Sequence, residues 1–333
     1  MAQTVVITGA SAGIGRAAAR LFAERGDRVG LIERGRTGLS GVADEVRQAG
    51  GTALPVEADL ADYEQVEAAA EQIEDVLGPA DVWVNSGFSS VFAPLSEIRP
   101  DELRAVMKVS YLGFVHGTMV ALSLMRARDY GVIVQVALGE PGFPPQSAYC
   151  VARHAICGFT SSLRCELRHE RSGVHVTLVQ AAVASTPQFS WVRSRLPSSP
   201  QPVPPIYQRE VAARGILYAA DHPGRKQHWA GGTTAGALIA NRLAPALLDR
   251  YLARTGYDGQ RAHVPATGRP DNLCIPADGP AGHEHGATGD FDDRSHDRSP
   301  QKWMSQHAPH LVTAGAAAII AGGVVAATAG WRR

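Results

Sequence analysis

Tyr149 and Arg153 stand four residues apart in QSAYCVARHAICGF, residues 146–159, a stretch with the pattern of a turn followed by a helix. Side chains at this spacing lie on the same face of a helix, which would place the guanidinium beside the phenol. A neighbouring positive charge favours the phenolate and lowers the pKa of a tyrosine from its ordinary value of about 10. The pair therefore has the chemistry of a proton donor and acceptor. The alternative is that Tyr149 is a packing aromatic, because the stretch also carries apolar residues at helical spacing.

A glycine-rich loop, TGASAGIG at residues 8–15, lies between a predicted strand and a predicted helix. Glycines in this arrangement allow a tight turn, a close approach of the backbone to a pyrophosphate, and close packing of the helix. The free N–H groups at the start of the helix favour the negative charge of a diphosphate. We therefore predict a dinucleotide-binding loop formed by Thr8, Gly9, Ser11, Gly13, Ile14 and Gly15.

The residue that reads the ribose of such a dinucleotide is expected about twenty residues further on, at the end of the second strand. Glu33 stands there in GLIERGR. A carboxylate accepts hydrogen bonds from the ribose hydroxyls and repels a 2′-phosphate, which favours NAD. Arg34 and Arg36 favour the 2′-phosphate of NADP, because guanidinium groups bind phosphate well. We predict NAD or NADP as cofactor, with the balance towards NAD; the alternative for Glu33 is a solvated strand end.

Short apolar runs alternate with helical patterns over the first 180 residues or so, which is typical of buried parallel strands joined by crossover helices. The predicted strands are TVVIT, RVGLI, ALPVE, DVWVN, GVIVQV and VHVTLV. The predicted helices include 13–25, 62–77, 101–127, 148–170, 208–221 and 235–253. This alternation predicts an α/β fold with a doubly wound parallel sheet, formed by a single domain over residues 1–254. The proline-rich segment 187–207 is either a substrate lid or a surface excursion.

The composition changes after residue 254. Residues 255–308 are rich in Gly, Pro, Asp and His and poor in large apolar side chains, so we predict a disordered linker and a flexible tail. His283 and His285 in this segment are expected to be solvated, and no metal site is predicted. Residues 311–330, within the last segment 309–333, carry no charge and match the length of a bilayer span. They are either a membrane anchor or a packed helix, because Ala, Gly and Thr outnumber Leu, Ile and Val.

The 333 residues contain 32 basic and 32 acidic side chains, and no basic stripe with interleaved aromatics is visible. A nucleic-acid surface is therefore not expected, and a small-molecule partner fits better. Cys150, Cys157 and Cys165 lie too close together on one predicted helix for a disulfide framework. The N-terminal residues enter a strand pattern without a secretory signal. These features predict a cytoplasmic protein, membrane-anchored if residues 311–330 insert.

Four motifs make residues 3–253 resemble the short-chain dehydrogenase/reductase family: TGASAGIG, ADL at 58–60, DVWVNSG at 81–87 and the Tyr149 helix. The resemblance implies a Rossmann-like fold, a nicotinamide cofactor, an alcohol or carbonyl substrate, and a homodimer or homotetramer. It also implies that Asp59 and Leu60 lie at the adenine, that Asn85 braces the fourth strand, and that Thr186 contacts the nicotinamide amide.

The family's catalytic tetrad is only partly retained. Tyr149 matches the tyrosine, whereas Arg153 replaces the lysine and Ser110 replaces the asparagine. Leu138 stands at the serine position, and losing an oxyanion donor of this kind costs about a hundredfold to a thousandfold in rate. Arg153 keeps the positive charge, so we expect the proton relay to suffer more than the Tyr149 pKa. The candidate catalytic residues are Tyr149, Arg153 and Ser110. The predicted function is an oxidoreductase with impaired or altered catalysis; the alternative is an inactive nucleotide-binding sensor or partner subunit.

Overall fold

The structure, a computed structural model, describes residues 2–138, 141–265, 271–278 and 283–299, with Leu138 and His263 described in backbone only. The strands are β1 Thr4–Thr8, β2 Arg28–Glu33, β3 Thr52–Glu57, β4 Val82–Asn85, β5 Val91–Phe92, β6 Gly131–Leu138, β7 Val174–Ala181, β8 Ala184–Ser185, β9 Arg193–Ser194, β10 Ser198–Pro200, β11 Ile206–Gln208, β12 Gln227–Ala230, β13 Arg261–Pro265 and β14 Ser295–His296. The helices are α1 Gly13–Glu24, α2 Arg36–Gln48, α3 Tyr63–Leu77, α4 Pro100–Met107, α5 Gly113–Arg126, α6 Ser147–Glu170, α7 Gln188–Trp191, α8 Arg209–Asp221, α9 Gly232–Leu243 and α10 Pro245–Gly259.

Seven parallel strands form the central sheet in the order β12-β7-β6-β4-β1-β2-β3. The chain builds outward from β1 in one direction through β2 and β3, and in the other through β4, β6, β7 and β12. The predicted doubly wound α/β fold is confirmed. Because the strand order reverses between β1 and β4, a crevice is expected at their carboxyl ends, where ligands bind in folds of this type.

Two hydrophobic clusters cover the two faces of the sheet, because side chains alternate along each strand. Val5 and Ile7 of β1 pack with α1, α2 and α8 on one face. Val6 lies on the opposite face, where Trp83 and Ile133 pack against α3, α5 and α6. Both faces of the strands are therefore buried, which explains why their sequences are continuous apolar runs.

The predicted helix 101–127 is interrupted. A π-helical turn, Lys108–Leu112, separates α4 from α5, and such turns are frequent at functional sites. In the described part of the chain, residues 100–126 are the one helical stretch long and apolar enough to cross a membrane, with a mean hydropathy of 1.3. Val120, Ala121 and Met125 of this stretch are buried in the core, so part of its apolar surface packs inside the fold.

The segment from residue 255, for which the sequence predicts a linker, includes helical and strand residues where the structure describes it. Helix α10 runs past the predicted boundary to Gly259, and β13 pairs with β10. Further along, β14 pairs with β11. Two isolated apolar residues, Leu273 and Phe291, are buried against the domain. The segment lacks hydrophobic periodicity, yet single side chains and backbone pairing attach it to the fold. The predicted span at 311–330 lies outside the described residues and stays a prediction.

Glu102 of α4 attaches the 187–207 segment to the domain. Its carboxylate is 1% exposed and accepts hydrogen bonds from Arg193 and Arg195, the first at 3.0 Å. Burial alone would raise the pKa of Glu102, but hydrogen bonds from Arg195, the Arg99 backbone and Arg193 lower it to about 2.

Glu102→Gln is expected to lower the free energy of unfolding at neutral pH by about 2 kcal/mol, since two guanidiniums lose their carboxylate. The contribution of the ionised Glu102 is fully present above the unfolded pKa of 4.5 and is lost as pH falls through about 2. Chemical denaturation of the wild type and the variant should therefore give curves that converge below pH 4.5. Glu71→Gln, which changes an exposed carboxylate of α3, is the control. Equal stability of the wild type and Glu102→Gln at pH 7 would contradict this role.

Candidate functional site

A cleft lies at the carboxyl edge of the sheet, at the reversal between β1 and β4. Thirteen of the sequence-predicted site residues line it: Gly9, Ser11, Gly13, Ile14, Gly15, Glu33, Arg34, Asp59, Leu60, Ser110, Tyr149, Arg153 and Thr186. They come from loops, strand ends and helices far apart in sequence, and the parallel strands bring them together because their carboxyl ends share one edge. Thr8 and Asn85 lie beneath the cleft.

The glycine loop leaves no room for side chains. A Cβ on Gly9 would lie 2.4 Å from the Cα of Gly87, and a Cβ on Gly15 would lie 2.1 Å from the Gly9 carbonyl oxygen. Gly13 has a φ of +53°, which L-residues rarely adopt. Among the described residues no side chain caps α1, so its first N–H groups are left for a ligand. This bare backbone cradle at a helix N-terminus fits a diphosphate.

Thr8 and Asn85 act beneath this loop. Asn85 Nδ2 donates to Thr118 Oγ1 at 3.1 Å and to Gln135 Oε1 at 3.0 Å, while its Oδ1 accepts from Trp83 Nε1 at 2.9 Å. Thr8 Oγ1 accepts from the Ser86 backbone N–H at 3.3 Å. Both side chains are fully buried. They connect β1 and β4 to their neighbours, and the structure gives them no place in the wall of the cleft.

The acidic end of the cleft lies beyond β2. Burial raises the pKa of Glu33, and a hydrogen bond from the Arg34 backbone N–H partly offsets this. The Arg34 guanidinium donates to the Asn272 carbonyl oxygen at 3.1 Å and lies 4.0 Å from the carboxylate of Asp59. Glu33 is therefore held inside the cleft rather than at a solvated strand end.

Tyr149 and Arg153 lie near the start of α6. The Tyr149 side chain is 7% exposed, and the Arg153 guanidinium lies over its ring, 5.0 Å from the centroid. The Phe88 ring packs against Tyr149 from another direction at 5.5 Å. Burial raises the pKa of Tyr149 to about 12, although Arg153 lowers it. The sequence-based expectation considered only the charge, and the cost of burying a phenolate is the larger effect.

Ser110 lies at the centre of the π-helical turn. Its hydroxyl donates to the Ser89 carbonyl oxygen and accepts from the Ser89 backbone N–H, both at 2.8 Å. This pairing occupies the hydroxyl proton and ties the turn to the loop after β4. Ser110 lines the cleft, but its contacts are those of a positioning residue. Leu138 ends β6, and its side chain lies outside the described part of the chain.

Thr186 follows β8 on the far side of the cleft. Its Oγ1 is buried, and no described residue forms a hydrogen bond with it. A buried hydroxyl without a protein partner facing a cleft suits a polar group of a ligand. Beside it, Trp191 of α7 lines the cleft and contacts His285, with ring centroids 4.5 Å apart. The segment after residue 187 thus forms one wall of the cleft.

The C-terminal segment forms a further part of the wall, which the sequence did not indicate. The residues involved are Asn272, Pro276, Ala277, Asp278, His283 and His285. His285 Nε2 lies 3.2 Å from the Ala277 carbonyl oxygen, so this histidine is held within the segment. Nothing in the local composition distinguishes these residues from a linker, because the contacts that attach them to the domain are with parts of the chain more than 80 residues away, such as Trp191 and α2.

A family model described as short chain dehydrogenase matches residues 3–196. The chain belongs to the short-chain dehydrogenase family. An uncharacterised oxidoreductase of Bacillus subtilis, YxnA, is 31% identical over 333 residues, covering 99% of this chain and 89% of that protein. The match to this relative thus includes the segment beyond residue 254.

Solved structures are also similar to this chain in fold. A variant of actinorhodin polyketide ketoreductase with NADPH superposes with a TM-score of 0.61 and 25% identity, over 68% of this chain and 94% of that one. An NAD⁺-bound xylitol dehydrogenase gives a TM-score of 0.52 and 25% identity, over 55% of this chain and 70% of that one. Family membership and the YxnA relative place the chain among proteins named as dehydrogenases or oxidoreductases.

Proposed function

We propose that the protein is an NAD(P)-dependent oxidoreductase that acts on an alcohol or carbonyl, with catalysis weaker than in a chain with the complete tetrad. The observation that carries the proposal is that a bare glycine cradle, the half-buried carboxylate of Glu33 and the buried Tyr149 line one cleft. The two solved relatives, one with NADPH and one with NAD⁺, support a nicotinamide cofactor.

The residues of the cleft fit such a cofactor. The first turn of α1 and the glycine loop hold the diphosphate, Glu33 accepts from the ribose hydroxyls, and Thr186 binds the nicotinamide amide. Asp59 and Leu60 lie at the adenine. A bound nicotinamide supplies or accepts the hydride.

Tyr149 holds the proton that moves to or from the substrate oxygen. Arg153 lies over its ring, stabilises negative charge on the phenol, and practically never deprotonates. It therefore cannot pass a proton onward as a lysine can. The Ser110 hydroxyl is bound to Ser89, and Leu138 stands at the position of the family's serine, so neither of these two positions supplies a side-chain donor to the developing oxyanion. Slow turnover follows from these two departures.

The direction of the reaction should depend on pH. Because burial raises the pKa of Tyr149 to about 12, the phenol is protonated at neutral pH and is ready to donate to a carbonyl. Carbonyl reduction is expected to stay level from about pH 6 to about pH 9, whereas alcohol oxidation should rise about tenfold per pH unit over the same range. Initial rates in both directions test this. A plateau in oxidation below about pH 8 would contradict a high Tyr149 pKa.

The alternative from a different class is a nucleotide-binding sensor or partner subunit without turnover. The same observations that predict slow catalysis favour it: the cradle is complete, whereas three members of the tetrad, at Ser110, Leu138 and Arg153, are replaced. Purified protein is tested with NADH and NADPH against a broad panel of carbonyls, and with the oxidised nucleotides against alcohols. Turnover that Tyr149→Phe abolishes supports the oxidoreductase. Nucleotide binding without any turnover supports the sensor.

A further inference from the structure

The C-terminal segment places a carboxylate at the start of α2. Asp278 Oδ2 accepts from the backbone N–H groups of Thr37 at 3.1 Å and of Gly38 at 3.2 Å. The approach requires glycine at position 35, because a Cβ there would lie 2.3 Å from Asp278 Oδ1. Asp278 thus caps a helix that lies 240 positions earlier in the chain.

This contact lies at the ribose end of the cofactor cleft. Glu33, Gly35, Gly38 and Asp278 line the same cleft. If Glu33 reads the ribose, the nearest helix N–H groups for a 2′-phosphate are those at the start of α2, and Asp278 already occupies two of them. The groups that a phosphate would need are therefore bound to a carboxylate.

The two arginines that could favour a 2′-phosphate also have partners. Arg34 donates to the Asn272 carbonyl oxygen, a second contact with the C-terminal segment, and lies 4.0 Å from Asp59. Arg36 forms an ion pair with Glu57, and its side chain is 85% exposed. Of the two, Arg34 is the one that lines the cleft, and its guanidinium is held by neighbours rather than presented to a ligand.

The local charge is negative. Glu33, Asp59 and Asp278 surround this end of the cleft, and the pKa of Glu33 is raised first by burial and then by the charges of Asp278 and Asp59. A phosphate monoester carries close to two negative charges at neutral pH, so it is repelled here. Ribose hydroxyls, in contrast, can donate hydrogen bonds to carboxylates.

We infer that Asp278 is a specificity-determining residue. From the C-terminal segment, it blocks the position that the 2′-phosphate of NADP would take, and it makes the cleft select NAD over NADP. The inference rests on the proposed nucleotide site and specifies its cofactor. Selection would then depend on two carboxylates from opposite ends of the chain, Glu33 at the end of β2 and Asp278 at the start of α2.

Dissociation constants of NADH and NADPH for the full-length protein test this by direct titration, without a substrate. The wild type is expected to bind NADH at least about a hundredfold more tightly than NADPH. Asp278→Asn keeps an oxygen acceptor for the α2 N–H groups and removes the charge. It is expected to reduce this ratio about tenfold, mainly by tightening NADPH. Asp293→Asn removes an exposed carboxylate from the same segment and should leave the ratio unchanged.

Measurements at several salt concentrations distinguish electrostatic repulsion of the 2′-phosphate from steric exclusion. If repulsion by Asp278 sets the ratio, the difference between the wild type and Asp278→Asn shrinks as salt is raised. If Asp278→Asn still binds NADH and has the wild-type ratio of NADPH to NADH dissociation constants, the inference is overturned but the proposed function is not. A wild type that prefers NADPH has the same consequence. A wild type that binds neither nucleotide overturns both.

Discussion

Tyr149→Phe is expected to lower kcat by about a hundredfold to ten-thousandfold, because the variant has no proton to exchange with the substrate oxygen. The dissociation constant of NADH should change little. The substitution removes one oxygen and keeps the ring, so the contacts with Phe88 and the Arg153 guanidinium are retained. A loss confined to kcat would assign Tyr149 to the chemical step rather than to packing.

Matched rates and affinities distinguish the two roles of this tyrosine. Tyr130→Phe is the control, since Tyr130 is 50% exposed and lies outside the cleft. Both variants are measured for kcat, KM and NADH affinity. If Tyr149→Phe retains the wild-type kcat, the phenol takes no part in proton transfer and the packing interpretation is correct. A loss of NADH affinity with unchanged kcat would also contradict the proposed role.

The double substitution Arg153→Lys with Leu138→Ser is expected to raise kcat/KM by about a hundredfold to a thousandfold. The serine hydroxyl would supply a side-chain donor to the developing oxyanion at the family's position, and the lysine would supply a cation that can pass a proton onward. Leu138 is the last residue of β6 and pairs with Ala181 of β7, which fixes the backbone from which the new hydroxyl would extend.

Single variants show how much each substitution contributes to the expected rise in kcat/KM. Leu138→Ala removes the bulk without adding a hydroxyl. A higher kcat/KM for Leu138→Ser than for Leu138→Ala would therefore be due to the hydrogen bond from the serine. Arg153→Lys alone is expected to have the smaller effect, because the charge beside Tyr149 is already present. A double variant no faster than Leu138→Ala would show that this site is not limited by the missing donor and the missing relay.

Much of the fold could be predicted from local pattern. The six predicted strands correspond to β1, β2, β3, β4, β6 and β7, because strands buried on both faces are continuous apolar runs. The seventh strand, β12, was not predicted: Gln227–Ala230 is short, polar in part, and lies at the edge of the sheet. The predicted helix 235–253 is two helices. Helix α10 begins at Pro245, which has no backbone N–H and stands at the start of the helix, where none is needed.

The candidate site was predictable from the sequence only where the residues involved are close together in the chain. The glycine loop is a run of consecutive residues that a sequence pattern can reveal, and its glycines line the cleft; diphosphate binding there stays a prediction. The environment of Tyr149 was not predictable, because the pKa depends on how deeply the whole fold buries the phenol, and the i+4 spacing reveals only the charge. Asp278 could not be identified at all, since its hydrogen-bond partners Thr37 and Gly38 lie 241 and 240 residues away.

Transfer of deuterium tests the central claim most directly. NADH carrying deuterium at both C4 positions is incubated with the wild-type protein and a panel of carbonyl compounds, and the alcohols are examined by mass spectrometry. Labelling both positions makes the outcome independent of which face of the nicotinamide reacts. The predicted result is deuterium in at least one product alcohol, formed more slowly by Tyr149→Phe. NADH binding with no deuterium in any product would contradict an oxidoreductase and leave the nucleotide-binding module as the function of this cleft.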